Sequence, residues 1–170
     1  VSLYNQNSCR LLMEKSLNFT FSKNERLCSE KILARLYESG FVISKYPLRL
    51  NVLLLTEVEF KELLSLGSPS GTKYKGVIEL RAQASINASK KRLKRAVMRN
   101  RMKRILREIY RHKKHQIYSD LEQAGQYAAI GLIYVGTSEM LYWDVEKVFD
   151  KVRRALRERV VAASTPRSTT

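Results

Sequence analysis

Hydrophobic and polar positions along the chain change period several times, and each change marks an element. Ser22-Lys23-Asn24-Glu25 forms a capping box, with Ser22 as N-cap and Glu25 reaching back from the third helical position. Leu27, Ile32, Leu33, Leu36 and Tyr37 then fall largely on one side, and Gly40 follows as a stop. This predicts a first helix over roughly 23–39. Residues 41–45 and 48–56 read as strands, broken at Tyr46-Pro47 because proline cannot donate to a ladder. A short helix fits 57–66, and Gly67-Ser68-Pro69-Ser70-Gly71 reads as a loop.

Period two resumes over 76–88, with Val77, Ile78 and Leu80, then Ala84, Ile86 and Ala88. A long helical segment follows. After it, the apolar run 127–135 suits a buried strand. Val145, Val148, Phe149, Val152 and Leu156 recur at helical spacing, predicting a closing helix over about 142–160. Residues 1–20 show no period and read as an arm; 161–170 are polar and read as a disordered tail. The expected order is α-β-β-β-α-β-α, a single α+β domain over 21–160.

Charge changes this picture at one place. The chain of 170 residues carries 32 Lys or Arg against 16 Asp or Glu, a net charge of +16. Residues 90–114, KKRLKRAVMRNRMKRILREIYRHKK, hold 13 bases and one acid, so this segment alone contributes 13 − 1 = +12. With Met98 at zero on a helical wheel, Met102, Ile105 and Ile109 fall within about forty degrees of it and Leu106 lies nearby. They form a core stripe. Asn100, Lys103, Arg104, Arg107, Arg111 and Lys114 cluster on the far side, with Arg99 and Arg101 flanking the stripe.

A merely solvated face would balance its charge through Glu–Lys pairs one turn apart, and only Arg104–Glu108 is available here. Uncompensated cations repel at that spacing unless a polyanion neutralises them, and the planar Arg fork suits phosphate. The stripe is only wide enough to serve the chain's own core, which argues against a membrane-surface helix. A nucleic acid is the expected partner. Charge alone leaves DNA and RNA both open, because each offers phosphates.

Other chemistry is sparse. Cys9 and Cys28 form no CxxC pair, so two free thiols in a reducing compartment are expected, with Cys28 packing in the first helix. The opening residues lack a signal-peptide pattern, and no apolar run is long enough to cross a bilayer, giving an expectation of a cytoplasmic chain. His112 and His115 lie three apart, with no carboxylate or Cys close in sequence to complete a metal site. Tyr74, between Lys73 and Lys75, is a candidate RNA contact. Acids are scattered, so a protein-only nuclease, which needs clustered carboxylates or a His pair, is the weaker hypothesis.

The stretch RAVMRNRMKRILRE resembles the RNR signature of the bacterial ribonuclease P protein subunit. Ser89-Lys90-Lys91 precede it, and Arg99-Asn100-Arg101, Lys103-Arg104 and Arg107-Glu108 fill its positions. Phe21-Ser22-Lys23-Asn24-Glu25-Arg26-Leu27 is similar to the family's opening, and Ser39-Gly40 with Pro47-Leu48-Arg49 to its strand entry. Ser85 and Asn87 depart from the family's third strand, where Gly commonly stands two residues before Ser. The segment between the second and third strands is also longer than usual.

The resemblance implies a two-layer sandwich like ribosomal protein S5 domain 2, with a left-handed βαβ crossover. It implies an RNA-binding subunit that assists a catalytic RNA in removing the 5′ leader from precursor tRNA. Mg²⁺ would be used by the RNA and not held tightly by the protein. The catalytic RNA and precursor tRNA are the implied partners, with no membrane and no obligate protein partner. Lys90, Lys91, Lys94, Arg95, Arg99, Asn100, Arg101, Lys103, Arg104, Arg107 and Arg111 would face RNA, and Phe21, Leu33, Tyr37 and Arg49 are candidates for a leader cleft. The alternative is another structured-RNA-binding or ribosome-associated protein without a cleavage role.

Overall fold

The computed structural model describes residues 19–66 and 80–164, with backbone alone at 63–66 and 164. The loop at 67–71, the triplet 73–75, the first part of the predicted third strand, Cys9 and most of the arm and tail lie outside the described residues. A 3₁₀ turn, Lys23–Glu25, opens the order. Then come α1 (Glu30–Ser39), β1 (Phe41–Lys45), β2 (Leu48–Leu55), α2 (Glu57–Leu66), β3 (Ala82–Ala88), α3 (Ala96–Gln123), β4 (Tyr127–Tyr134) and α4 (Tyr142–Ser164).

The capping-box pair does form, Ser22 N–H donating to Glu25 Oε2 at 2.6 Å, but it closes only a single turn. The chain then runs extended beside β3, with Leu27 N–H donating to Ala84 O at 3.0 Å, before α1 begins at Glu30. The predicted first helix therefore begins seven residues too early, while its end at Ser39 before Gly40 agrees. Cys28 sits in this extended piece as an exposed free thiol and not in a helix.

The sheet order is β1-β2-β4-β3, with β3 and β4 parallel and the other neighbours antiparallel. Because successive side chains point to opposite faces, register decides what each helix covers. Leu48, Leu50 and Val52 of β2 join Ala128, Ile130, Leu132 and Tyr134 of β4 and Ala82, Ala84 and Ile86 of β3 in the main core, under α3 and α4. Leu53, Leu55 and Ala129 point the other way and pack with Leu36 of α1 and Phe60 of α2. Helices thus lie on both faces, so a two-layer sandwich describes the main core and not the α1–α2 side. Among the described residues no helix is long and apolar enough to cross a membrane.

Two glycines set how closely α1 approaches. A Cβ on Gly40 would collide with Leu36 O and stand 3.0 Å from Val52 O, so only glycine lets α1 end against β2. A Cβ on Gly131 would meet Leu36 Cδ2 at 3.1 Å and Tyr37 Oη at 3.7 Å. The bare backbone of β4 there is the floor on which α1 rests.

The wheel for α3 is offset from the one expected. Met102, Leu106, Ile109, Tyr110, Ile117 and Leu121 are buried, whereas Met98 and Ile105 are only half-buried. Lys114, assigned to the cationic face, lies inside at 2% exposure, with its ammonium paired to Glu25 and donating to Thr20 O. Burying each large apolar side chain is worth about 1.5–3 kcal/mol, against about 0.2–0.5 kcal/mol for each like-charge clash along the helix. The anchor outweighs the repulsion, so the wet face is free to carry its charge.

Candidate nucleic-acid interface

The basic segment is presented by two elements. Lys90, Lys91, Lys94 and Arg95 lie in the turn ahead of α3, all exposed. That turn hangs from the sheet: Ser89 N–H donates to Tyr134 O at 2.9 Å, and Leu93 N–H to Ser89 O at 2.9 Å. Leu93, at 1% exposure, pins it to the main core. On α3, Asn100, Arg104 and Arg107 are exposed and Lys103 half-exposed, and their side chains make no ion pair with any described residue. The arrangement is a row of unpartnered cations on a helix fixed from behind.

Three of the predicted RNA-facing arginines are engaged with the protein itself. Arg99 Nη1 donates to Leu93 O at 2.8 Å and Lys94 O at 2.6 Å, closing the turn onto the helix. Arg101 pairs with Glu139 at 3.1 Å, tying the segment before α4 to α3. Arg111 pairs with Glu108 through Nε at 3.1 Å and donates to Phe19 O at 2.8 Å. Glu108 thus serves Arg111 and His112 and not Arg104. The Arg111 guanidinium, with His112 adding to it, holds the Glu108 carboxyl below the usual carboxylate range.

Arg99 is consequently a positioning residue for Lys90–Arg95 as well as a cation. Arg99→Ala is expected to cost about 1–2 kcal/mol of stability, because two charge-assisted hydrogen bonds disappear with the guanidinium. It should also speed amide exchange at Leu93, and Lys, lacking the fork, should not restore it. Exchange at Leu93 unchanged in the variant would contradict this role.

The candidate leader residues do not form one group. Register places Arg49 opposite Ser44 and Ile133, and Asn51 opposite Val42 and Gly131, on the sheet face that α1 partly covers. Ser85 and Asn87 continue these two rows on β3, linked to each other by Asn87 Nδ2–H donating to Ser85 Oγ at 2.9 Å. Tyr37, 49% exposed, stands over Gly131 at the margin. Tyr37 and exposed Arg49 thus border an open, polar stretch of sheet. Leu33 packs into the α1–α2 core, and Phe21 packs edge-on against Tyr110 of α3 at 5.4 Å in the main core.

Sequence reasoning missed the interior role of Glu25, and missed Asn51 and Glu139 altogether. Asn51 is buried with its Oδ1 unpartnered among the described residues, on the same face as Tyr37. Its strand position among leucines was the signal available. Glu25 and Glu139 act on residues 89 and 38 positions away, for which the sequence offers no signal. The His112 ring lies tilted against Phe19 at 5.8 Å between centres and pairs with Glu108 at 3.0 Å. Among the described residues no group of three or more His, Cys, Asp or Glu could hold a metal ion.

Comparison with known proteins gives a consistent result. A family model described as Ribonuclease P matches residues 21–160. A "Ribonuclease P protein component" of Porphyromonas gingivalis is 30% identical over 139 residues, covering 82% of this chain and 88% of that protein. One of the same description from Chlorobium phaeobacteroides is 30% identical over 82 residues, 42% of this chain and 56% of that protein. The RNase P protein of Staphylococcus aureus superposes with a TM-score of 0.52 at 19% identity, over 78% of this chain and 94% of that one. A mutant of that protein with defective mRNA degradation activity gives 0.51 at 18% identity, over 92% and 98%. At these identities, the two structures speak to fold.

Proposed function

We infer how the chain works from the premise that it belongs to the bacterial ribonuclease P protein family, as the protein component of the endoribonuclease that matures tRNA 5′ ends. Its place in that holoenzyme implies association with the ribonuclease P RNA. The exposed cations Lys90, Lys91, Lys94, Arg95, Lys103, Arg104 and Arg107, with Asn100, would grip the phosphates of the catalytic RNA. The observation that carries this reading is the one-sidedness of α3: an apolar face locked in the core and an opposite face whose cations lack internal partners. Arg99, Arg101 and Arg111 would act mainly by fixing the surroundings of that face, touching RNA only with what their internal bonds leave over.

The open sheet between Tyr37, Arg49 and Asn87 would hold the 5′ leader of precursor tRNA. Tyr37 offers a ring for base stacking and Arg49 a phosphate contact, a combination that suits single strands. Leu33 would support this cleft by packing beneath α1, whereas Phe21, on the α3 side of the sheet, would take no part in it. Mg²⁺ would serve the RNA. We also propose the left-handed β3-α3-β4 crossover, for which the parallel β3–β4 pair is the necessary unit. The same reading takes 21–160 as the functional domain and 1–20 as an arm, acting in the cytoplasm; the tail expected from 161 can begin only after Ser164, because α4 runs on to that residue.

Reconstitution tests the central reading. The full chain added to a bacterial ribonuclease P RNA at low Mg²⁺ should raise cleavage of precursor tRNA several-fold, because fixed cations replace part of the ionic screening. No gain would refute it. Tyr37→Ala should weaken binding of precursor tRNA by roughly 5- to 100-fold, the usual worth of one base stack, while mature tRNA is little affected. Equal weakening for both substrates would assign Tyr37 to packing.

A further inference from the structure

An exposed apolar shelf lies apart from both the cationic face of α3 and the sheet face bordered by Tyr37. Where β4 hands over to α4, Met140, Leu141, Tyr142 and Trp143 follow one another. Met140 and Tyr142 are half-buried and pack on the main core, whereas Leu141 and Trp143 are 67% and 68% exposed. Trp143 is the single tryptophan of the chain. Tyr142 holds it edge-on at 5.1 Å between ring centres, so the indole is supported from the core side with its body in solvent.

This shelf is bolted to the basic helix. Arg101 pairs with Glu139 at 3.1 Å just before it, and Lys113 pairs with Glu146 at 3.3 Å and Asp150 at 3.2 Å just after it. The nearby acids Glu139, Glu146 and Asp150 are thereby neutralised by cations of α3, and Asp144 lies 4.0 Å from Lys147. Three residues along α3 from Arg101, the partner of Glu139, stands Arg104, exposed and without an ion pair among the described residues. An exposed aromatic ring on a segment tied by ion pairs to the helix that carries unpartnered cations matches RNA, which pairs a phosphate chain with flat apolar bases. A second copy of the chain fits poorly, because each copy carries +16.

We propose that Trp143, backed by Tyr142 and flanked by Leu141, is a stacking site for an unpaired base of the catalytic RNA bound along α3. This rests on the assignment of α3 as the RNA-binding helix. The shelf sits on the α3–α4 side of the sheet, away from the face bordered by Tyr37 and Arg49, so its occupant is the catalytic RNA and not the leader.

Trp143 fluorescence reads the site directly. The full chain is titrated with an in vitro transcribed bacterial ribonuclease P RNA, following tryptophan emission and, separately, binding by filter retention. Emission should be quenched with the Kd that retention gives. Trp143→Ala should weaken that Kd by roughly 5- to 100-fold. Its salt slope should stay unchanged, because stacking releases no counterions, and Trp143→Phe should recover most of the affinity. Unquenched emission during binding, or an unchanged Kd in the alanine variant, overturns the proposal. So does emission that changes with protein concentration in the absence of RNA, which would mark a contact between copies. A chain that binds no RNA at all overturns the α3 assignment together with the shelf, and retention alone identifies that case.

Discussion

Replacing Glu25 by alanine is expected to lower the unfolding free energy by about 3–5 kcal/mol, the cost of stranding one member of a buried ion pair. Lys114 and Glu25 are 2% and 4% exposed, so neither charge can turn to water if the other is removed. Glu25 also accepts from Ser22 N–H, and Tyr118 Oη lies 3.4 Å from its Oε1. Burial pushes the Tyr118 hydroxyl far above the usual phenol range, so it stays a neutral donor and cannot compensate a stranded ammonium as an anion. For a chain of this size the destabilisation corresponds to a fall in Tm on the order of 10 °C. The double variant Glu25→Ala with Lys114→Met should recover part of it, since the methionine removes the stranded charge and keeps the aliphatic packing. Thermal unfolding of the two single variants and the double variant decides the matter. Strictly additive effects would mean that the pair is not coupled and that the buried geometry is wrong.

This pair also explains where the sequence is legible and where it is not. The apolar repeat of α3 is readable because Met102, Ile109 and their neighbours recur at helical spacing. Its phase is not, because the buried face continues through Tyr110 and Lys114, and a lysine counts as polar in any pattern of this kind. The partner that makes Lys114 an interior residue lies 89 positions earlier. The same limit applies to the first helix. Ser22 and Glu25 do form their reciprocal pair, but the following residues gain more by pairing along β3 than by continuing the turn, a tertiary choice that local signals do not contain.

The site divides in the same way. Which residues are cationic, and that one helix carries them, is plain from residues 90–114. Which of them remain available is a property of the fold. Arg99, Arg101 and Arg111 look equivalent to Arg104 and Arg107 in the sequence, yet the first three find partners in Leu93 O, Glu139 and Phe19 O. Arg49 is brought by register to the face on which α1 seats Tyr37 over Gly131, whereas Phe21 lies on the other side of the sheet, against Tyr110.

That division makes a strong experiment on RNA affinity possible. Reversing Arg104 and Arg107 to Glu should weaken binding of the catalytic RNA by about 100-fold or more at moderate salt, since a hydrogen bond to a charged group is worth roughly 1.5–3 kcal/mol. Both side chains are exposed and unpaired, so the fold has no stake in them and the variant should unfold at nearly the wild-type temperature. The slope of log K against log salt should flatten by about 0.7–0.9 for each phosphate no longer neutralised. Reversing Arg101 and Arg111 instead provides the contrast. Those residues surrender ion pairs with Glu139 and Glu108, so their reversal should reduce stability while flattening the salt slope less. Affinity and salt slope left intact by Arg104→Glu with Arg107→Glu in a folded chain would remove α3 from the interface. Equal slopes for the two double variants would show that internal pairing does not decide which arginines RNA can use.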